Sequence, residues 1–327
     1  MLLKSVDRLA LKLKRRGIDP NLHGQRNFCE AITQDKVDIR EWMKKLVISR
    51  LARGDFSDWT GWECRNEWAI GSYSNEVPTP RWRLEPCESL AILGEQGIGD
   101  EIMFGSVIPE AMLRCKRVVF ECDPRLIGVF TRSLGIECRP RADIIGRGQA
   151  TIRYLTAKRD EQFFLPVGDL PRLFRKSRLD FPGKPFLKPS PGMIEKWNHL
   201  KGRTGLAWRS RTGQFKPQAM MSLGIKDPVV LQYDHWPYET EGMTVPDCDL
   251  RDSIEDVMGI CANLEKIVSV PQTICHIAGS IGAKVDVILP PMGSSRVKDA
   301  FRYRYIQPMP WYGSMKVFQS LAAWKHA

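Results

Sequence analysis

The segment Gly94-Glu95-Gln96-Gly97-Ile98-Gly99-Asp100, with three glycines and two acids, joins the apolar run SLAILGE to the helical stretch DEIMFGSVIPEAMLRC. Glycines at the head of a helix let a ligand come close to backbone N–H groups. The spacing from Gly94 is G-x-x-G-x-G, which is not the dinucleotide fingerprint. A carboxylate at that turn would also repel a pyrophosphate. Asp100 therefore suits a loop that faces a hydroxyl, with Gln96, Gly97 and Gly99 as the acceptor side. The positive end of the helix favours a carboxylate there, and a carboxylate can take the proton of an attacking hydroxyl. An aspartate here also reads as a helix cap, and the two roles coexist.

A second constellation lies far along the chain. The run KIVSV leads into Pro271-Gln272-Thr273, after which Ile274, Ile277, Ala278 and Ile281 recur at helical spacing. Gly282 is a natural terminator. Gln272, Thr273 and His276 then sit at or near a first helical turn, where unpaired N–H groups attract phosphate. His276 is read as a donor to a diphosphate oxygen, or else as a histidine satisfied by backbone. The loop after RTGLAW carries Arg209, Ser210, Arg211, Thr212 and Lys216. Fixed cations at that point suit a diphosphate leaving group and can stand in for a divalent metal. A solvated basic loop is the plainer reading.

The elements that must position these residues follow from the apolar pattern. Residues 1–85 read as a helical N-terminal region, with Leu2, Val6, Leu9 and Leu13 at helical spacing and a second helical stretch near 39–51. From Glu88 short apolar runs alternate with helical segments, the mark of βα units on a parallel sheet. Strands are expected at 89–95, 117–122, 203–208, 229–233, 266–270 and 284–290, and helices near 100–115, 124–134, 252–262 and 272–281. Residues 181–191, FPGKPFLKPSP, hold four prolines, and the alternation restarts after them. The expected division is 86–185 for an acceptor domain, 186–310 for a donor domain and 311–327 for a C-terminal helix. Two βα sheets joined by such a hinge make a cleft, with ligands at the strand C-terminal ends.

Composition narrows the classes. Of 327 residues 43% are hydrophobic and 27% charged, a globular balance. No apolar run reaches the roughly 20 residues that span a bilayer, and charge interrupts the N-terminus too often for a secretory signal. A cytoplasmic protein is expected. The nine cysteines are scattered without a C-x-x-C pair, which predicts free thiols rather than a disulfide framework or zinc site. Lys and Arg number 49 against 38 Asp and Glu, a net charge of +11. That excess implies an anionic partner.

Taken in order, GDFSDWTGWECRNEW, PRW (80–82), GEQGIGDEIMF, FFLPVGDLPRLF, GLAWRS, DLRDSIEDV, HIAGSIGAKVDVILP and PWYGSMKVFQ resemble the glycosyltransferase domain that follows tetratricopeptide repeats in bacterial proteins. That domain is related to family 9 heptosyltransferases, and the likeness covers roughly residues 52–320. It implies an α/β GT-B fold of two Rossmann-like domains, an inverting transferase, a nucleotide-diphosphate sugar held by the C-terminal domain, and neither metal nor cofactor. Asp100 falls on the family's catalytic aspartate, His276 on the histidine of its V-D-T-x-x-x-H-L-A-G pattern, and Lys216 on a donor-phosphate lysine. Pro271 and Gln272 stand where that pattern has Asp-Thr, and no 34-residue period marks full repeats in residues 1–85.

The acceptor stays open among glycan, protein and a hydroxymethylated DNA base. Basic stretches at 139–159, 172–188 and 296–304, with Phe163, Phe164, Phe301, Tyr303 and Tyr305, could grip a nucleic-acid backbone and an extruded base. The other class of function is a non-catalytic module that binds nucleotide-sugar or nucleic acid on a degenerate GT-B fold. A dinucleotide-dependent oxidoreductase is opposed by the missing G-x-G-x-x-G.

Overall fold

The computed structural model describes residues 47–48, 50–51, 54–57, 59, 62, 79–142, 157–210, 213–222, 224–290 and 309–325. The expected amphipathic stretch over residues 1–16 lies outside them, as do the basic runs 143–156 and 296–304 with Phe301, Tyr303 and Tyr305.

The first lobe runs β1 (Cys87–Leu93), α1 (Ile98–Gly105), α2 (Ile108–Met112), β2 (Cys115–Cys122), α3 (Ile127–Leu134), β3 (Glu137–Pro140), β4 (Phe163–Pro166) and α4 (Leu170–Phe174). Its four strands lie in the order β3-β2-β1-β4, all parallel. The second lobe follows with α5 (Pro191–Lys196), β5 (Thr204–Ala207), a short antiparallel pair β6 (Arg209–Ser210) and β7 (Gly213–Gln214), and α6 (Pro217–Met221). It continues through β8 (Val229–Val230), α7 (Ile254–Asn263), β9 (Lys266–Ser269), α8 (Thr273–Ser280), β10 (Val285–Ile288), β11 (Met315–Phe318) and α9 (Leu321–Lys325). Its sheet has the order β11-β10-β9-β5-β8, again parallel. The fold is the expected α/β GT-B architecture of two Rossmann-like sheets. Central strands are buried along almost their whole length, as parallel strands covered on both faces must be.

Three elements differ from the sequence reading. The single helix expected over 100–115 is broken into α1 and α2, because Pro109 opens α2 and cannot donate back into α1. Strands β3 and β4 are too short to announce themselves by alternation. Residues 311–327 do not form one helix: β11 joins the open edge of β10, pairing Val285 with Met315 and Val287 with Val317. Helix remains only at α9. The cysteine reading is also corrected, since Cys87 and Cys115 form a disulfide. They are register partners at the start of β1 and β2, with Cα atoms 4.6 Å apart. Among the described residues Cys122, Cys138, Cys248, Cys261 and Cys275 stay unpaired.

A run of rings joins the pieces that the sheets do not. Trp62 meets Phe104 of α1 at 6.0 Å between centroids, and Phe104 meets Trp311 at 5.9 Å. Trp311 in turn packs on Phe181 at 4.9 Å, and Phe181 on Phe56 at 4.6 Å. The indole N–H groups of Trp59 and Trp62 donate to the carbonyls of Arg175 and Gly168, so the N-terminal region docks on the first lobe. The proline-rich linker is strapped to the second: the N–H groups of Phe186 and Leu187 both donate to Ser280 O at the end of α8. Gly313 N–H donates to Gly183 O at 2.7 Å, tying the returning C-terminal segment to the same linker.

That return presses the Tyr312 ring onto α8 at Gly279, where an added Cβ would stand 2.6 Å from the ring. Gly279→Ala is therefore expected to lower stability by about 1–3 kcal/mol, the usual cost of overpacking. Urea unfolding of the variant checks this, and pairing it with Tyr312→Leu should restore part of the loss.

Candidate active site

Sheet order locates the site before any side chain is considered. In the first lobe the strand order reverses between β1 and β4, and in the second between β5 and β9. Ligands of open α/β sheets bind outside the strand C-terminal ends at such a reversal. The β1 crevice is opened by Gly94–Gly97, and the β5/β9 crevice by Trp208–Ser210 and Val270–Thr273. Ala207 and Ser269 are register partners, and Val270 N–H donates to Ala207 O, so the last two loops leave their sheet side by side.

The two crevices meet. A Cβ added to Gly99 would lie 2.9 Å from His276 Cδ2 and 3.6 Å from both His276 Nε2 and Thr273 Cα. The first turn of α1 thus touches the first turn of α8, which only a residue without a side chain allows. Asp100 stands in that first turn of α1, half-buried. The cap position falls on Gly97, which makes no side-chain cap. The reading of Asp100 as the cap residue is corrected, since the turn begins earlier than the acid.

On the other side Gln272 holds the cap position of α8 in extended backbone, and its Nε2 donates to Ser269 Oγ at 3.3 Å. Thr273 is half-buried beside it. His276 is 5% exposed, and its Nδ1 lies 3.1 Å from Tyr312 Oη. One partner of the ring is thus a side chain from the C-terminal return. The ring edge that carries Cδ2 and Nε2 faces Gly99.

The loop after β5 behaves differently from the expectation of free cations. Arg209 is paired with Glu239 at 2.7 Å and Asp234 at 3.7 Å, and it donates to Asp234 O. Its charge is spent inside the second lobe, where Glu239 is itself largely buried. Ser210 lies in the β6–β7 pair, its Oγ donating to Gly213 O at 3.3 Å. Lys216 is exposed at the cap position of α6, an outward cation among the described residues of this loop. Arg211 and Thr212 lie outside the described residues. The structure therefore sets the first turn of α1, which carries Asp100, against Thr273 and His276 of α8, and pairs Arg209 within the second lobe.

Gln96, already read as part of the acceptor side, adopts a left-handed backbone, φ 65°, a conformation that costs a non-glycine residue about 1–2 kcal/mol. Other residues at the site were not singled out by sequence. Glu95 is buried and accepts from Gly168 N–H at 3.0 Å, which joins the loops after β1 and β4. Glu101 is wholly buried, accepting from Asp123 N–H at 2.8 Å and paired with Arg141 at 2.6 Å. Burial raises its carboxyl to about 7, and the Arg141 charge only partly offsets that. Burial would raise Asp123 too, but bonds from Arg125 hold its carboxyl below the ordinary range. Arg125 reaches across to Asp252 at 2.9 Å, and Arg132 pairs with Glu255 at 2.6 Å, so two ion pairs bind α3 and its lead-in to the start of α7. The acid pair Asp100-Glu101 was visible in sequence. What separates their environments was not.

The described arginines of the first basic stretch weighed for nucleic acid are paired within the fold. Arg139 pairs with Glu137 and Glu161, Arg141 with Glu101, and Arg159 with Glu121. Phe164 is a buried residue of β4, so it cannot clasp an extruded base.

No family model matches the chain. Protein FlbA of Caulobacter vibrioides is 23% identical over 308 residues, which takes in 84% of this chain and 50% of FlbA. The chain thus spans about half the length of that curated relative. A glycosyl transferase of family 9 from Veillonella parvula superposes with a TM-score of 0.52 at 10% identity, over 73% of this chain and 88% of that one. The ADP-heptose lps heptosyltransferase II of E. coli gives a TM-score of 0.45 at 12% identity, over 70% and 90%. The Veillonella likeness shows the fold: this chain has the fold of a family 9 glycosyltransferase. No helix among the described residues is long and apolar enough to cross a membrane.

The buried acid beside Asp100 makes stability pH-dependent. Between its ordinary value of 4.5 and about 7 the folded chain keeps a proton on Glu101 that the unfolded chain has released. Stability therefore falls as pH rises through that window. Unfolding midpoints measured across pH 4.5–7 are expected to show this slope, and Glu101→Gln is expected to flatten it.

Proposed function

We propose that this chain is an inverting glycosyltransferase that moves a sugar from a nucleotide-diphosphate donor to an acceptor hydroxyl. The observation that carries the reading is the contact of α1 with α8 at Gly99 and His276. That contact sets the first turn of α1, which carries Asp100, against the first turn of α8, and this supports the reading. Asp100 takes the proton of the acceptor hydroxyl as that oxygen attacks the anomeric carbon. The bond from that carbon to the diphosphate oxygen breaks from the opposite face, and the nucleoside diphosphate leaves as an anion.

The leaving charge is met by N–H groups at the start of α8, by His276 Nε2 and by Lys216. Gln272 and Thr273 line the donor side, and Gln96, Gly97 and Gly99 the acceptor side. Tyr312 holds the His276 ring in place. Arg209 and Ser210 shape the donor loop instead of touching the phosphates. The reading requires no metal or cofactor, and it sets the chain in the cytoplasm. A glycan or protein acceptor fits better than DNA, because Arg139, Arg141 and Arg159 of the first basic stretch are committed to partners in the fold.

A second reading, a donor-binding module without chemistry, draws on Pro271-Gln272 in place of Asp-Thr and on the inward turn of Arg209. One experiment separates the two. Purified protein incubated with a panel of nucleotide-diphosphate sugars should release nucleoside diphosphate, unaffected by chelator, and Asp100→Asn should slow release by about 10²–10⁴-fold. Donor affinity by calorimetry should stay the same in that variant. Donor binding with no release in the unaltered chain would select the non-catalytic module.

A further inference from the structure

The carboxyl that follows Asp100 in sequence is tied to three strands at once. Glu101 is wholly buried. Its Oε2 accepts from Asp123 N–H at 2.8 Å, and its Oε1 lies 2.6 Å from Arg141 Nε. A Cβ added to Gly94 would stand 2.7 Å from the same Oε1. Gly94, Asp123 and Arg141 are the first residues beyond β1, β2 and β3. One carboxyl thus meets the point where each strand ends. Those points are fixed in turn: Gly94 N–H donates to Glu121 O at 2.6 Å, Arg141 N–H to Cys122 O at 2.8 Å, and Arg125 Nε to Asp123 Oδ1 at 2.8 Å.

Asp100 and Glu101 belong to one turn. The N–H groups of both donate to Gly97 O, at 2.9 and 3.0 Å. Successive helical residues point about 100° apart, so one carboxyl enters the strand ends while the other stays at the loop. Asp100 Oδ2 lies 3.8 Å from where a Cβ on Gly97 would stand. The loop Gly94–Gly97 therefore has Glu101 at its root and Asp100 at its tip. A leucine would fill the same space without the desolvation that a carboxyl suffers. It could neither accept from Asp123 N–H nor hold the Arg141 guanidinium. A buried carboxyl with such bonds suits a place where the next side chain must be held to a fraction of an ångström. A reacting group displaced by about 1 Å loses roughly 10²-fold in rate.

We propose that Glu101 is a positioning residue for Asp100: by locking the first turn of α1 onto three strand ends, it aims the base at the acceptor hydroxyl. This role rests on the transferase reading and adds a residue to it. The measurement is steady-state release of nucleoside diphosphate, at a pH above the Glu101 value of about 7 and at a temperature where circular dichroism shows each variant folded. Glu101→Gln keeps an acceptor for Asp123 N–H and drops the charge. Its kcat should fall about tenfold while the donor KM stays within about twofold. Arg141→Lys disturbs the same carboxyl from the end of β3 and should act in the same direction; it decides the matter if Glu101→Gln does not fold. Gly259→Ala is the control for lost stability alone. Its added Cβ would stand 2.6 Å from Met193 O, where α7 packs on α5, and kcat should hold. An unchanged kcat in Glu101→Gln, a raised KM with kcat intact, or an equal loss in Gly259→Ala would each overturn the positioning role and leave Asp100 as the base. No release from the unaltered chain would overturn the transferase reading, and the positioning role with it.

Discussion

Two helix starts in contact are an electrostatic conflict that this fold is built to contain. The first turns of α1 and α8 meet where Gly99 faces Thr273 and His276. Each helix start carries roughly half a positive charge, so their approach is unfavourable without negative charge nearby. Asp100, in the first turn of α1, supplies part of it, whereas Glu101 beside it is buried and paired with Arg141. An anionic ligand in the crevice would supply the rest.

The contact persists because other parts of the chain hold it from three directions. Arg125–Asp252 and Arg132–Glu255 tie α3 and its lead-in to the start of α7. The linker fastens to the end of α8 through two hydrogen bonds to Ser280 O. The ring sequence from Trp62 through Phe104 and Trp311 to Phe181 fills the seam with apolar surface. Exposed ion pairs of this kind contribute little singly, so the aromatic block supplies most of the cohesion and the ion pairs fix the orientation.

Much of this could be read before the coordinates. The strands near 89–95, 117–122 and 266–270 and the helix starts beside Asp100 and Gln272 are legible, because apolar runs and glycines report buried strands and tight turns directly. The remainder depended on contacts distant in sequence. Arg209 looked like a phosphate ligand because local sequence shows a basic loop and cannot show Glu239 turning the guanidinium inward. Tyr312 attracted no role because its partner His276 lies 36 positions away. Strand β11 passed for helix because four residues at a sheet edge have no periodicity of their own. Cys87 and Cys115 looked free because only the parallel register of β1 and β2 makes them neighbours.

The edge strand β11 also orders events during synthesis. The second sheet begins at Thr204 but lacks its last strand until Met315–Phe318 has emerged. The segment just before it, Pro310–Gly313, is the one that binds the linker and reaches the first lobe. At ribosomal speeds of about 5–20 residues per second, the first lobe has several seconds to fold alone. The second lobe waits meanwhile with β10 bare along one side, a row of unpaired amides that invites a neighbouring chain. This stretch of the protein's life is the one in which a chaperone matters most.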